Sequence, residues 1–184
     1  MPPKVKYTKE QMISICLDII REGGEITARN IAGKLSCSPQ PIFSCFENMS
    51  KLCEEVREAV TKIYNGYISK GLEQEKPFKN SGMQYIKFAD EEPELFKFLF
   101  MTKGKTEVVR HSLPQNEGNY DKIVQTIMTS HGFSREKAER IYDHISVYTY
   151  GLAMLFVQKT GIFTLEEADE MITQLFYALK EAEK

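Results

Sequence analysis

Apolar residues in this chain recur three and four positions apart nearly from end to end, a spacing that buries one face of an α-helix and suits little else. Met12, Ile15, Cys16, Ile19 and Ile20 form one stripe, and Leu52, Val56, Ala59, Val60, Ile63 and Tyr67 form another. Leu165, Ala168, Ile172, Leu175 and Leu179 make a third, with Met171 and Phe176 alongside. The two-residue alternation of a half-buried strand is scarce. The stripes stop where capping chemistry would stop them: Thr8 with Gln11 and Thr164 with Glu167 have capping-box spacing, Thr27 and Asn48 suit N-caps, and Gly23-Gly24, Gly132 and Gly161 close helices. The expected fold class is all-α, with helices over about 8–22, 28–35, 39–46, 49–70, 78–90, 94–101, 119–131, 134–160 and 164–183. The segment 102–118 reads as a loop, with a turn of helix at 107–111.

Composition narrows what such a chain can do. Its 184 residues are 42% apolar, enough for a core, and 11 Phe and 9 Tyr supply bulk. A net charge of −2 excludes a chain-wide polybasic binder. Residues 1–62 carry nine Lys/Arg against eight Asp/Glu and the remainder fifteen against eighteen, a small asymmetry that permits an anionic partner at the N-terminal end. Cys16, Cys37, Cys45 and Cys53 form no Cys-x-x-Cys pair. Buried thiols are therefore expected rather than a metal or redox centre, and no metal or cofactor is anticipated. No apolar run approaches the roughly 20 residues of a membrane span, and the opening Met1-Pro2-Pro3-Lys4 leads into no leader-like segment. The expected location is the cytoplasm, without a membrane partner.

Two short helices joined by a tight turn, preceded by a longer one, form a layout that reads DNA. Ala32 is small where the two short helices would cross, and Ile42 would hold the second to the first. With Ser38 as N-cap, Pro39 falls at the first helical position and Pro41 at the third, where backbone N–H groups have no intrahelical partner. Gly71 opens a polar stretch to Lys76 where a small head would join a larger body.

The run Ile26-Thr27-Ala28-Arg29-Asn30-Ile31-Ala32, then Ser38-Pro39-Gln40-Pro41-Ile42-Phe43-Ser44-Cys45-Phe46, then Asn48 and Leu52, resembles the TetR family of transcriptional regulators. The resemblance covers about residues 8–55; beyond it only an all-α body ending in two long helices matches. It implies an N-terminal three-helix helix-turn-helix DNA-binding domain, residues 1–50, and a C-terminal helical ligand-binding and dimerisation domain, residues 51–184. It also implies a homodimer through the last two helices, double-stranded operator DNA as partner, and repression relieved by a small apolar or aromatic ligand. Gln40 would read a base edge, its amide matching adenine. Pro39, Pro41 and Phe43 would offer apolar contact, and Ser38 and Ser44 would reach bases or phosphates. Thr27 and Arg29, then Asn48, Met49, Ser50 and Lys51, would meet phosphates, with Lys4, Lys6 and Tyr7 as an arm. Four positions depart from the family pattern: Ser36 where Gly is common, Phe43 for Tyr, Cys45 for His or Tyr, and Met49 for Lys. The reading helix has no Lys or Arg, which predicts weak, salt-insensitive contacts from it.

The candidate lining of the ligand site is Tyr85, Phe88, Phe96, Leu99, Phe100, Tyr120, Met128, His144, Tyr148 and Phe156, aromatic and apolar side chains with a few polar tips. His144 and Tyr148 stand one helical turn apart. Two other classes compete. A helical interaction module of the same fold would lack sequence-specific DNA binding. An enzyme is the weaker rival, since no nucleophile–His–acid set, phosphate loop or metal motif stands out and His111, His131 and His144 are scattered.

Overall fold

A computed structural model describes residues 7–101 and 117–182. Lys4, Lys6 and the expected helical turn at 107–111 lie outside the described residues. Within them the chain is all helical: α1 (Lys9–Arg21), α2 (Ala28–Lys34), α3 (Gln40–Cys45), α4 (Met49–Leu72), α5 (Pro77–Glu91), α6 (Pro93–Phe100), α7 (Glu117–His131), α8 (Arg135–Val157) and α9 (Leu165–Ala182). The chain divides into two compact units, residues 1–63 and 64–184. The division falls inside α4.

In the first unit, local chemistry sets every helix end. Thr8 and Gln11 close the reciprocal capping box on α1, at 3.3 and 2.9 Å. Thr27 Oγ1 accepts from the Asn30 N–H at 3.1 Å and starts α2; Asn48 Oδ1 accepts from the Lys51 N–H at 3.0 Å and starts α4. After α1, the Gly23 N–H donates to Ile20 O and the Gly24 N–H to Ile19 O, a Schellman closure with Gly23 left-handed at φ 74°. The same closure ends α2: the Ser36 N–H donates to Gly33 O and the Cys37 N–H to Ala32 O, with Ser36 at φ 50°. A serine thus occupies a backbone conformation in which its Cβ crowds the following carbonyl.

One expectation is corrected here. Ser38 does not cap α3: the capping position is Pro39, which makes no side-chain cap bond, and Pro41 moves into the second helical position. The Ile42 N–H reaches back to Pro39 O at 3.0 Å, so the helix opens with a tight turn. Proline's fixed φ supplies the bend that a serine side chain was expected to stabilise.

The second unit is built around α8, which packs against α5, α6, α7 and α9. Its inner stripe is Ala138, Ile141, Ile145, Thr149, Leu152 and Ala153. Ser134 caps it through the Lys137 N–H at 3.3 Å. Its 23 residues span about 35 Å at 1.5 Å per residue. It ends at Val157 because Lys159 turns left-handed, φ 52°, in another Schellman closure, and Lys159 Nζ holds Asp90 on α5 at 2.9 Å. The capping box of Thr164 and Glu167 forms on α9, at 3.2 and 2.8 Å. Gly71, near the end of α4, is required by sterics. A Cβ there would stand 2.6 Å from the backbone of Asn80 and Ser81 on α5. No helix among the described residues is long and apolar enough to cross a membrane.

Candidate functional site

Two sites emerge, one in each unit. In the first, Ile42 on α3 and Phe46 just past its end are buried, as are Met12, Cys16, Ile31, Leu52 and Val56 of the same unit. The outer side of α3 is Ser38, Pro39, Gln40, Phe43 and Ser44, all exposed, with Pro41 half-buried. Phe43 leaves half its surface in water. Ser44 Oγ donates to Gln40 O one turn back, at 3.2 Å, so the Gln40 amide is the least committed polar group on this face. Tyr7 Oη donates to Leu35 O at 3.0 Å, tying the start of α1 to the end of α2 rather than extending as an arm.

The flanking positions are exposed or half-exposed. Arg29 and Asn30 stand in water on the first turn of α2; Asn48, Ser50 and Lys51 do so at the start of α4, with Thr27 and Met49 half-buried. Arg29 has no ion-pair partner among the described residues, while Lys51 Nζ sits 2.8 Å from Glu54 and Lys34 Nζ 2.6 Å from Glu22. The Glu54 carboxylate beside Lys51 holds its ammonium above the usual lysine range. Hydrogen-bonding groups are therefore plentiful on this face and uncompensated positive charge is scarce.

The second site is a partly open cavity of about 50 Å³ within the second unit. Its walls come from α4 (Tyr64, Ile68), α5 (Phe78, Ser81, Gly82, Tyr85), α7 (Ile123) and α8 (Tyr142, Ile145, Ser146, Thr149). Tyr85 and Thr149 are each 3% exposed, and Tyr85 Oη and Thr149 Oγ1 are buried without a hydrogen-bond partner among the described residues. Ser81 Oγ donates to Phe78 O at 2.8 Å, and Tyr142 bonds Ser146. Burial pushes the phenols of Tyr85 and Tyr64 far above the usual tyrosine range, so both are neutral at any working pH. A Cβ added at Gly82 would meet no atom within 4 Å, so that wall has room.

Of the ten residues the sequence nominated for this role, Tyr85 alone lines the cavity. Phe88 and Phe96 are fully buried, and with Tyr64, Tyr85 and Phe100 they form a continuous ring cluster at centroid distances of 4.5–6.2 Å. They fill space rather than enclose it. Leu99 is buried on α6. Tyr120 meets Tyr142 edge-on at 5.1 Å, behind the cavity wall, and Met128 and Tyr148 are half-buried elsewhere. Phe156 lines a separate surface cleft of about 190 Å³ with Asp90, Lys159 and Phe163. His144 is exposed, because the inner stripe of α8 passes through its neighbour Ile145 instead.

The sequence reading missed Ser81, Gly82, Ser146 and Thr149. Their signal was present: small or hydroxylated residues interrupting the apolar faces of α5 and α8 at helical spacing. Choosing lining residues by bulk selected the side chains that close a core. Among the described residues no group of His, Cys, Asp and Glu is placed to hold a metal ion. Neither a protein-family model nor a curated protein matches this chain.

Proposed function

We propose that this protein is a DNA-binding transcriptional regulator of the TetR kind, a repressor released from its operator by a small molecule. The observation that carries the reading is α3. Gln40, Phe43 and Ser44 stand outward on a short helix whose Ile42, with Phe46 just past its end, is buried. A helix held that way can enter the major groove and present an amide to a base edge. The first-turn N–H groups of α2 and α4, with Arg29 between solvent and frame, suit phosphates. In this reading the second unit binds the releasing ligand in its cavity. It pairs with a second copy through α8 and α9, whose Val147 and Tyr177 leave 75% and 60% of their surface in water. Release requires that the ligand favour the state that does not bind DNA.

The test is fluorescence anisotropy on DNA from upstream of the protein's own reading frame, titrated with salt. The parent should prefer one site over scrambled DNA. Gln40→Ala should lose that preference by about tenfold, the worth of one bidentate contact, and keep the parent's sedimentation coefficient. Equal affinity of the parent for both DNAs would reject the assignment. A second reading, a helical module that binds protein instead, is favoured by the exposed Phe43 and the absence of Lys and Arg from α3. It predicts no DNA binding even at low salt.

A further inference from the structure

We propose that the cavity of the second unit takes a small uncharged molecule with an apolar body and one oxygen acceptor, held by hydrogen bonds from Tyr85 Oη and Thr149 Oγ1. This rests on reading the second unit as a ligand sensor, and it names the chemistry of what is sensed. Two buried hydroxyls without partners are costly, about 1–3 kcal/mol each, and native interiors seldom keep them. Both belong to the wall of one cavity. Thr149 lies in mid-helix, where its hydroxyl could have bonded the carbonyl one turn back, as Thr126 and Thr173 do at 2.8 Å. It makes no such bond and stays available to the cavity.

The remaining walls decide the ligand's charge and size. Among the described lining residues there is no Asp, Glu, Lys, Arg or His. A carboxylate or ammonium would enter without a counter-charge and lose its hydration uncompensated. Ser81 and Tyr142 already have partners, and among the lining hydroxyls those of Tyr85 and Thr149 are the buried ones without a partner among the described residues. A carbonyl oxygen has two lone pairs and can accept from both; an alcohol can accept from one and donate to the other. The volume admits about three to five water-sized spheres, so it seats the oxygen-bearing end of a molecule with a few carbons around it. Ile68, Ile123 and Ile145 supply the apolar contact.

The experiment uses the full chain and calorimetric titration at pH 7 with cyclohexanone, cyclohexylammonium and cyclohexanecarboxylate. Cyclohexanone should bind at least tenfold more tightly than either ion. Tyr85→Phe and Thr149→Val should each weaken it about tenfold, and each should raise the melting temperature of the ligand-free protein, because each removes an unpaired buried hydroxyl. Opposite signs for affinity and stability separate ligand contacts from a structural role. No measurable cyclohexanone binding, equal binding of the ions, or parent-like affinity in both variants (hydroxyls that serve trapped water only) would overturn the proposal. Operator affinity measured alongside keeps the two readings apart. Cyclohexanone that binds without loosening DNA sinks the regulator and leaves the ligand class standing; intact operator binding with no cyclohexanone binding does the reverse.

Discussion

The first unit of this protein buries hydrocarbon and one thiol; the second buries hydroxyls. Every buried residue of the first among those described, from Met12 and Cys16 through Ile42 and Phe46 to Val60, is apolar or sulfur-bearing. The buried polar side chains, Ser81 and Thr149, and the buried phenols, Tyr64 and Tyr85, all belong to the second. A closed apolar core stabilises a rigid frame and leaves the hydrogen-bonding groups of α3 outside, where water satisfies them until a partner replaces it. An interior with unpaired hydroxyls gives up stability, and such groups persist where something else can pair with them. The contrast separates a surface that displays chemistry from a partly open cavity walled by it.

Three substitutions test that contrast. The largest effect is expected from Ile42→Ala, which opens a void under α3 and should cost about 3 kcal/mol. Amide exchange should rise over residues 9–60 and stay unchanged over 135–157; an equal rise in both would show one cooperative unit and dissolve the comparison. Next is Gly71→Ala. Its methyl would strike the Asn80 backbone, a contact that no side-chain rotation relieves, and about 2 kcal/mol should be lost, with exchange rising in α5 and α8. A melting temperature equal to the parent's would show that α4 and α5 can part without consequence. The smallest effect is a gain. Ser36→Gly relieves a left-handed serine and should add about 1 kcal/mol by denaturant titration, since a Schellman closure asks for glycine there. If Ser36→Gly destabilises, the serine side chain has a use that its hydrogen bonds do not reveal.

Helix ends were readable from the sequence, and the cavity was not. Thr8 with Gln11, Thr27, Asn48 and Thr164 with Glu167 all cap the helices they precede, because a cap joins atoms three residues apart and needs nothing from the rest of the fold. Ser38 misled because Pro39 already fixes the turn. The outward set on α3 was legible through Ile42, since once the middle of a six-residue helix must face inward the positions on the opposite side face out. Of the ten nominated lining residues Tyr85 alone lines this cavity, because the walls depend on which faces of α4, α5, α7 and α8 meet.

The residues alone determined that this chain is helical, where its capped helices begin, and which side of α3 faces in. Those properties arise from contacts within four or five positions along the backbone, and such contacts are written in the order of residues. Only the packed structure decided that Ser81, Gly82 and Thr149 would share a wall with Tyr85 and that two of their hydroxyls would find no partner. A cavity is space left between helices distant in sequence. Its place follows from how large and small side chains interlock across them, and no local pattern specifies that.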